Sequence, residues 1–134
     1  MNESNVQTVQ SIYAAFGKGD VPAILERVEA NTHWSFNASR RPLPWYEPVT
    51  SKATLPKFFQ TMAEQLDFHA FEPRVFVHSD DHVMVHVHIE YTVKKTSRRI
   101  ALEQIHWWTL NREGKVTRLL QFEDTAALFA AYEG

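Results

Sequence analysis

The sequence predicts an α+β fold in which helices cover the concave face of a curved antiparallel sheet. Two patterns indicate this fold: apolar residues recur at helical spacing in the first half of the chain, and with a period of two from Phe68 onward. The size agrees, because 134 residues with 44% hydrophobic and 22% charged side chains are typical of one globular domain. We therefore expect a single domain over residues 1–134, shaped as a cone with an apolar interior that suits a small ligand.

Two helices open the chain. Ser4 and Gln7 form a capping-box pattern that predicts the start of the first helix, and Gly17 predicts its end. Asp20 can cap a second, short helix, which tolerates Pro22 in its first turn. The apolar positions at helical spacing are Val6, Val9, Ile12, Tyr13 and Phe16 in the first helix, and Ala23, Ile24, Leu25 and Val28 in the second.

A short strand, a loop and a third helix follow. The strand covers residues 32–37, where two aromatic residues alternate with polar ones, and the loop RRPLPWYEP covers residues 40–48. Three prolines exclude a regular helix or a central strand from that loop. Thr50 or Ser51 is expected to cap the third helix. Its apolar stripe consists of Leu55, Phe58, Phe59, Met62 and Leu66.

The second half of the chain reads as a meander of strands joined by tight turns. Turn residues occur at positions 96–97 and 112–114. The predicted strands cover residues 71–77, 83–93, 100–110 and 116–123, and a short helix covers residues 125–132. Helices that precede a meander belong on one face of the sheet, which is the reason for expecting a cone.

Alternation within a strand predicts which residues face the interior of the cone. From Val83 to Val93 the odd positions form a continuous apolar set, so we expect them to face the helices. A two-residue turn at Thr96-Ser97 pairs Lys95 with Arg98. Continuing that register pairs Ile89 with Gln104, Val87 with His106 and Val85 with Trp108.

Directly opposed residues share a face, so Gln104, His106 and Trp108 are expected to point into the cone. The outer face then carries Glu103, Ile105 and Trp107 beside His86, His88 and Glu90. A slip of one residue would exchange the two faces, so the assignment depends on the turn. On the fourth strand of the meander, alternation alone leaves two sets open as the inner one: Leu119, Gln121 and Glu123, or Leu120 and Phe122.

Four stretches carry a family resemblance, namely IYAAFGKGDVPAILERV, NTHWSF, PWYEPVTSKATLPKFFQTM and HWWTLNREGKVTRLLQFEDTAAL. Together they cover nearly the whole chain and resemble the nuclear transport factor 2-like superfamily, in its SnoaL-like and ketosteroid-isomerase-like branch. The resemblance implies a cystatin-like cone with three N-terminal helices, a short C-terminal helix, and Leu119, Gln121 and Glu123 on the inner face. It does not fix the function, because this fold hosts isomerases, cyclases, hydrolases, dehydratases and non-catalytic binders.

The isomerase chemistry that the resemblance implies can be checked position by position. The tyrosine position of those enzymes falls on Ile12, one residue from Tyr13, when the GKGD corner is the anchor. The carboxylate base position falls on Phe36, and the protonated aspartate position falls on His106. None of the three residues matches, so a steroid-isomerase mechanism is not expected. The Asp-Arg-Asp arrangement of similar epoxide hydrolases is not evident either.

The candidate site is built around His106. A histidine in an apolar pocket beside a carboxylate can act as a general acid or base, and Glu123 or Asp124 is the expected partner. Gln104 and Gln121 would be polar neighbours. The expected aromatic walls are Trp34, Phe36, Trp45, Tyr46, Phe59 and Trp108. The alternative is a buried structural histidine satisfied by Gln104 or Gln121, in a core that is simply aromatic.

Two functional hypotheses stay open. The first is a protein that binds a small apolar or aromatic molecule in the cone, with cofactor-independent acid–base catalysis of the isomerase, cyclase or lyase type. The second is a non-catalytic ligand-binding or dimeric interaction module, which the apolar Phe36 at the family's base position favours. An open pocket at His106 would favour the first hypothesis, and a cone filled by Trp34, Phe36 and Trp108 would favour the second.

The outer face predicts a partner. His86, His88, Ile105 and Trp107 are expected to form a homodimer contact, since similar proteins pack this face and aromatic residues are enriched at interfaces. His86 and His88, with Glu90 or Glu103, could also ligate a metal, but no second ligand cluster accompanies them, and no metal or cofactor is expected.

Composition limits the remaining classes. A formal net charge of −2 gives no basic field for nucleic acid. The chain has no cysteine, which excludes disulfides and thiol nucleophiles and fits a reducing compartment. The N-terminal residues lack the pattern of a signal peptide, and no apolar run has the length of a membrane span. We therefore expect a cytoplasmic protein with no membrane partner.

Overall fold

The computed structural model describes residues 2–40 and 42–134, so Met1 and, within the proline-rich loop, Arg41 lie outside the described residues. The α-helices are α1 (Asn2–Gly17), α2 (Val21–Leu25), α3 (Leu55–Gln65) and α4 (Thr125–Glu133). The strands are β1 (Val28–Phe36), β2 (Leu66–Ser79), β3 (His82–Val93), β4 (Arg98–Leu110) and β5 (Val116–Phe122). Two short 3₁₀ turns, Pro44–Tyr46 and Lys52–Thr54, lie between β1 and α3.

The five strands form one curved sheet in the order β1-β5-β4-β3-β2. The predicted α+β cone is confirmed, with α1 packed on β2 and β3 and α3 packed on β2. One pairing was not predicted: β1 runs parallel to β5, whereas all other neighbouring strands are antiparallel. A single domain over residues 1–134 stays a prediction. Within the described ranges, no helix has both the length and the apolar character needed to cross a membrane.

The helix boundaries correct two of the predicted caps. α1 already begins at Asn2, so the capping box at Ser4 and Gln7 was wrong: both residues lie inside the helix. Thr50 and Ser51 do not cap α3 either, because the 3₁₀ turn over residues 52–54 is interposed and α3 begins at Leu55. The Asp20 cap is confirmed, since its carboxylate accepts a hydrogen bond from the Ala23 amide at 3.2 Å.

β2 is much longer than the predicted strand over residues 71–77, because it starts directly at the end of α3. Two β-bulges interrupt its pairing with β3, one between Phe68 and Ala70 and one between Pro73 and Val75. Each bulge adds one residue and so reverses the alternation of faces. As a result, four residues spaced by three, two and three positions all lie opposite the inward residues of β3: Phe68, Phe71, Pro73 and Phe76.

The predicted register between β3 and β4 was wrong by two residues. The hairpin turn contains four residues, Lys94 to Ser97, so Val93 pairs with Arg98. Ser97 adopts the left-handed conformation, with φ 61°, and its amide donates to the Val93 carbonyl at 2.8 Å. Consequently Gln104 pairs with Val87, His106 with Val85 and Trp108 with Val83. A shift of two keeps every side chain on its face, so the predicted inward set is confirmed and is buried.

Candidate functional site

A cavity of about 60 Å³ lies in the cone between the sheet and the helices α1 and α3. Aromatic side chains fill most of the surrounding space, and Trp34, Phe36 and Trp108 are all buried. Five polar residues of the described chain line the cavity: Tyr13, Tyr91, Gln104, His106 and Gln121. The cavity is therefore a narrow apolar space with a few convergent polar groups, which is the usual composition of a ligand site.

One row across the sheet forms the floor of this cavity. Phe36 on β1 is paired with Gln121 on β5, and Gln121 is paired with His106 on β4. Leu119, Gln121 and Glu123 thus belong to the inner set, as the family resemblance implied, and Leu119 and Gln121 are buried. The parallel β1–β5 pairing places Phe36 beside the two polar residues.

A continuous chain of hydrogen bonds crosses the site. The Trp108 indole donates to the Tyr13 hydroxyl at 3.0 Å, and that hydroxyl lies 2.7 Å from His106 Nδ1. His106 Nε2 lies 2.7 Å from Gln104 Oε1, and the Gln104 amide donates to Glu123 Oε1 at 2.6 Å. A further residue, Tyr46, donates its hydroxyl hydrogen to the other Glu123 oxygen. Both ring nitrogens of His106 are thus hydrogen bonded, Nδ1 to Tyr13 and Nε2 to Gln104.

The carboxylate end of the chain fixes the direction of the hydrogen bonds that lead through Gln104 to His106. An indole N–H can only donate and a carboxylate can only accept. Gln104 turns its amide N–H toward Glu123, so its oxygen faces His106 and needs a proton on Nε2. Nδ1 of the neutral ring then accepts from the Tyr13 hydroxyl. His106 is accordingly a neutral imidazole with its proton on Nε2.

Burial controls the charge of these groups. It lowers the pKa of His106 to about 3, so the ring is neutral near pH 7. Burial also raises the pKa of the Tyr13 hydroxyl well above its ordinary value, which keeps that group neutral too. Burial raises the pKa of the Glu123 carboxyl, while the hydrogen bonds from Tyr46 and Gln104 act in the opposite direction. The described residues that line the cavity are thus uncharged, and the Glu123 carboxyl stands behind Gln104.

Gln121 differs from its polar neighbours. Its side chain lines the cavity and is only 7% exposed, yet its amide has no hydrogen-bond partner among residues 2–40 and 42–134. Within those residues no fully buried side-chain nitrogen or oxygen lacks a hydrogen-bond partner, so the Gln121 amide atoms keep contact with the cavity space. The group is therefore available to a molecule that enters the cavity.

The remaining predicted site residues divide into two groups. Trp45 and Phe59 line the cavity with the other aromatic residues. Tyr46 and Glu123 do not line it. Tyr46 stacks on Phe36 at 4.2 Å between ring centroids and donates a hydrogen bond to Glu123 behind the cavity wall.

Tyr13 was missed, although the GKGD anchor had placed the family's tyrosine position only one residue away. The helical stripe that contains Tyr13 was interpreted as core, and its pairing with His106 across 93 positions has no local signal.

A second, more open depression of about 350 Å³ adjoins the cavity between α1 and β2. Both spaces are bounded by the same four aromatic side chains: Tyr13, Phe16, Phe68 and Phe71. All except Tyr13 are only partly buried, and Phe16 and Phe71 are in contact at 4.8 Å between centroids. These phenylalanines lie between the two spaces.

The outer face of the sheet is polar at one end. His88 lies between two carboxylates, with Nδ1 2.5 Å from Glu103 and Nε2 2.8 Å from Glu90. The hydrogen bonds that the His88 ring donates to Glu90 and, second, to Glu103 raise the pKa of His88 and lower the pKa of both carboxyls. His86 also contacts Glu103, at 2.6 Å. In the part of the chain that the structure describes, no three His, Asp or Glu side chains are placed to hold a metal ion.

The other end of the outer face is apolar. Val77, Met84, Trp107 and Leu120 form one row across four strands, and Val75, His86, Ile105 and Phe122 form the next. Four of these side chains are the exposed large hydrophobic residues of the described chain: Val75 (51%), Val77 (56%), Met84 (37%) and Ile105 (42%). Contiguous exposed apolar side chains of this kind are typical of contact surfaces.

A curved five-stranded sheet with helices over its concave face and an aromatic cavity between them defines the NTF2-like class. Solved structures show the same architecture. An NTF2-like protein from Burkholderia xenovorans LB400 is 26% identical, with a TM-score of 0.88 over 98% of both chains. An NTF2-like protein of unknown function from Burkholderia pseudomallei K96243 is 20% identical, with a TM-score of 0.87 over 98% of both chains. TerC, co-crystallised with polyporic acid, is 22% identical, with a TM-score of 0.84 over 98% of this chain and 99% of TerC.

Within that class, the sequence profile of the SnoaL-like domain matches residues 9–119, and the chain belongs to the SnoaL-like family. The resemblance that the sequence stretches indicated is confirmed. The comparison with curated protein sequences gives no match.

Proposed function

We propose that the chain binds a small, uncharged, largely apolar or aromatic molecule in the cone. The observation that carries this proposal is the Gln121 amide, which is buried in an aromatic-walled cavity and unpaired within the described chain. An amide offers a donor and an acceptor, so it can bind a ligand carbonyl or hydroxyl. TerC, which is similar to this chain in fold, was co-crystallised with polyporic acid, and this supports the part of the proposal that concerns binding of a small molecule.

The charge of the site argues for a neutral ligand. No lysine or arginine is among the described residues that line the cavity, and His106 is neutral. The Glu123 carboxyl stands one residue behind the wall. An anion would therefore lose its hydration with no positive partner among the described lining residues, which is costly.

The size of the cavity limits the ligand. About 60 Å³ holds a few water molecules and is smaller than the roughly 150 Å³ that accommodates benzene in an engineered cavity. A ring can enter only when side chains that border the cavity move. Phe16 and Phe71 can move to admit it, because they are only partly buried. We therefore expect single-ring compounds to bind more tightly than fused-ring ones.

Titration calorimetry with acetophenone, a neutral ring with one carbonyl, tests the proposal. We expect binding to the wild type and an affinity lower by roughly five- to tenfold in Gln121→Leu, the equivalent of one hydrogen bond. Gln10→Leu, at an exposed position on α1, is the matched control and should bind as the wild type does. Equal affinity of Gln121→Leu and the wild type would show that the ligand does not bind to this amide.

Acid–base catalysis is a second candidate function, favoured by the hydrogen-bond chain that links Glu123 to the cavity through Gln104. His106 lines the cavity but is a weak base with a pKa of about 3, and Glu123, whose pKa burial raises, is separated from the cavity by Gln104, so Glu123 would act through the residues that it holds. Mass spectrometry of deuterium uptake at the acetophenone methyl group in D₂O tests this candidate. Uptake faster with the wild type than with Glu123→Gln supports catalysis, and equal rates argue for binding alone.

We also propose that a second copy of the chain covers the outer face, through His86, His88, Ile105 and Trp107. The exposed apolar rows on β2, β3 and β4 support this proposal. Ile105→Glu would place a charge among them, and we expect sedimentation velocity to show a monomer where the wild type is a dimer. Ala14→Glu, on the exposed side of α1, should leave the dimer intact. A wild type that sediments as a monomer at high micromolar concentration would refute the proposal.

A further inference from the structure

The polarity of the hydrogen-bond chain depends on one residue that does not touch the cavity. Gln104 and the neutral His106 ring can each be reversed, since both carry one donor and one acceptor. Tyr13 can likewise donate to His106 or accept from it. Trp108 donates in either arrangement. Only the Glu123 carboxylate, which accepts from both Gln104 and Tyr46, selects between the two directions.

We propose that Glu123 is a specificity-determining residue: through Gln104 it holds the His106 proton on Nε2 and keeps the Tyr13 hydroxyl hydrogen bonded to His106, away from a ligand. The part of this proposal that concerns the ligand rests on the proposed function. The part that concerns His106 rests on the four hydrogen bonds between Trp108 and Glu123.

The reversed chain would change what the site offers. If residue 123 donates to the Gln104 oxygen, the Gln104 amide turns its N–H toward His106 Nε2, and the ring proton moves to Nδ1. Nδ1–H then donates to the Tyr13 oxygen, which already accepts from Trp108. The Tyr13 hydroxyl hydrogen loses its acceptor and must find one in the cavity. A reversed site therefore presents a new donor and prefers ligands with a carbonyl group.

Glu123→Gln is the matched substitution, because a side-chain amide keeps the size of the carboxyl and adds a donor. Imidazole ¹⁵N spectra report which ring nitrogen carries the proton. We expect the wild type to hold the His106 proton on Nε2, and Glu123→Gln to show the Nδ1–H form or exchange between both forms. Glu103→Gln, an acid-to-amide change on the outer face beside His86 and His88, should leave the His106 signals unchanged.

A wild-type spectrum with the proton on Nδ1 would overturn the proposal without any variant. A folded Glu123→Gln protein with the proton still held on Nε2 would overturn it too. These readings involve no ligand, so they remain decisive if the proposed function fails.

A second experiment compares the affinities for acetophenone and for ethylbenzene, which has the same ring but no carbonyl. We expect the preference for acetophenone to increase by roughly fivefold in Glu123→Gln, as one added hydrogen bond would produce. An unchanged preference alongside a moved proton would overturn the specificity role. If neither compound binds the wild type, the proposed function fails. The spectra alone then decide whether Glu123 controls which ring nitrogen of His106 carries the proton.

Discussion

The His106 ring is expected to stay unprotonated in the folded protein down to about pH 3, because burial lowers its pKa to that value. His88, on the outer face of the neighbouring strand, should behave oppositely and stay protonated above its ordinary pKa, because its ring donates hydrogen bonds to Glu90 and Glu103. A pH titration of the imidazole ¹⁵N and carbon-bound proton signals measures both groups in one experiment. Protonation of His106 between pH 6 and 7 with the fold intact would contradict the burial of this ring.

The same shift makes stability depend on pH. Unfolded His106 binds a proton near pH 6.5 while folded His106 does not, so its contribution is complete above pH 6.5 and falls as the pH drops toward 3. We expect a loss of about 3 kcal/mol of unfolding free energy between pH 7 and pH 4 from this group. Glu123 opposes it, because a raised folded pKa contributes stability that is present in acid and lost as the pH rises through it.

Comparison of variants isolates the His106 contribution. His106→Asn removes the titrating group, so the stability difference between wild type and variant, from urea unfolding, should shrink by about 3 kcal/mol from pH 7 to pH 4. His88→Asn is the control with the opposite sign. The His88 ion pairs stabilise the fold at pH values above the ordinary pKa of the carboxyls and below the raised pKa of His88. This stabilisation is lost as the pH rises through the His88 pKa. A pH-independent difference for His106→Asn would refute the assignment.

Tyr13→Phe is expected to lower the unfolding free energy by about 2–4 kcal/mol, although the ring and its volume are kept. The change leaves the Trp108 indole without its acceptor and His106 Nδ1 without its donor, and both groups are buried. Urea unfolding at pH 7 measures the loss. Tyr132→Phe is the matched control, because the Tyr132 hydroxyl has no hydrogen-bond partner within the described residues. A cost for Tyr13→Phe no greater than that of Tyr132→Phe would mean that the chain contributes little to stability.

Local patterns predicted the fold well where they were regular. The alternation in β3 identified the inner face, and it remained correct when the register moved by two residues, because a shift of two preserves the face. The irregular parts were not predictable in this way. The bulges of β2 reverse the alternation twice, and Phe68, Phe71, Pro73 and Phe76 match neither period.

The candidate site was predictable in composition but not in connectivity. Parity and the family resemblance supplied Gln104, His106 and Gln121, all of which line the cavity. The hydrogen bonds from Tyr13 to His106 and from Tyr46 to Glu123 join residues 93 and 77 positions apart, and they depend on how α1 and the proline-rich loop pack on the sheet. No sequence period reports such packing.

The central claim is that a small neutral molecule binds in the cone against Gln121, and side-chain ¹H–¹⁵N spectra during an acetophenone titration test it most directly. We predict saturable shifts of the Gln121 amide and of the Trp34 and Trp108 indole signals, which belong to residues that line the cavity. Trp107, adjacent in sequence but on the outer face, should not shift. Shifts at Trp107 with an unchanged Gln121 amide would place the ligand on the outer face and contradict the claim.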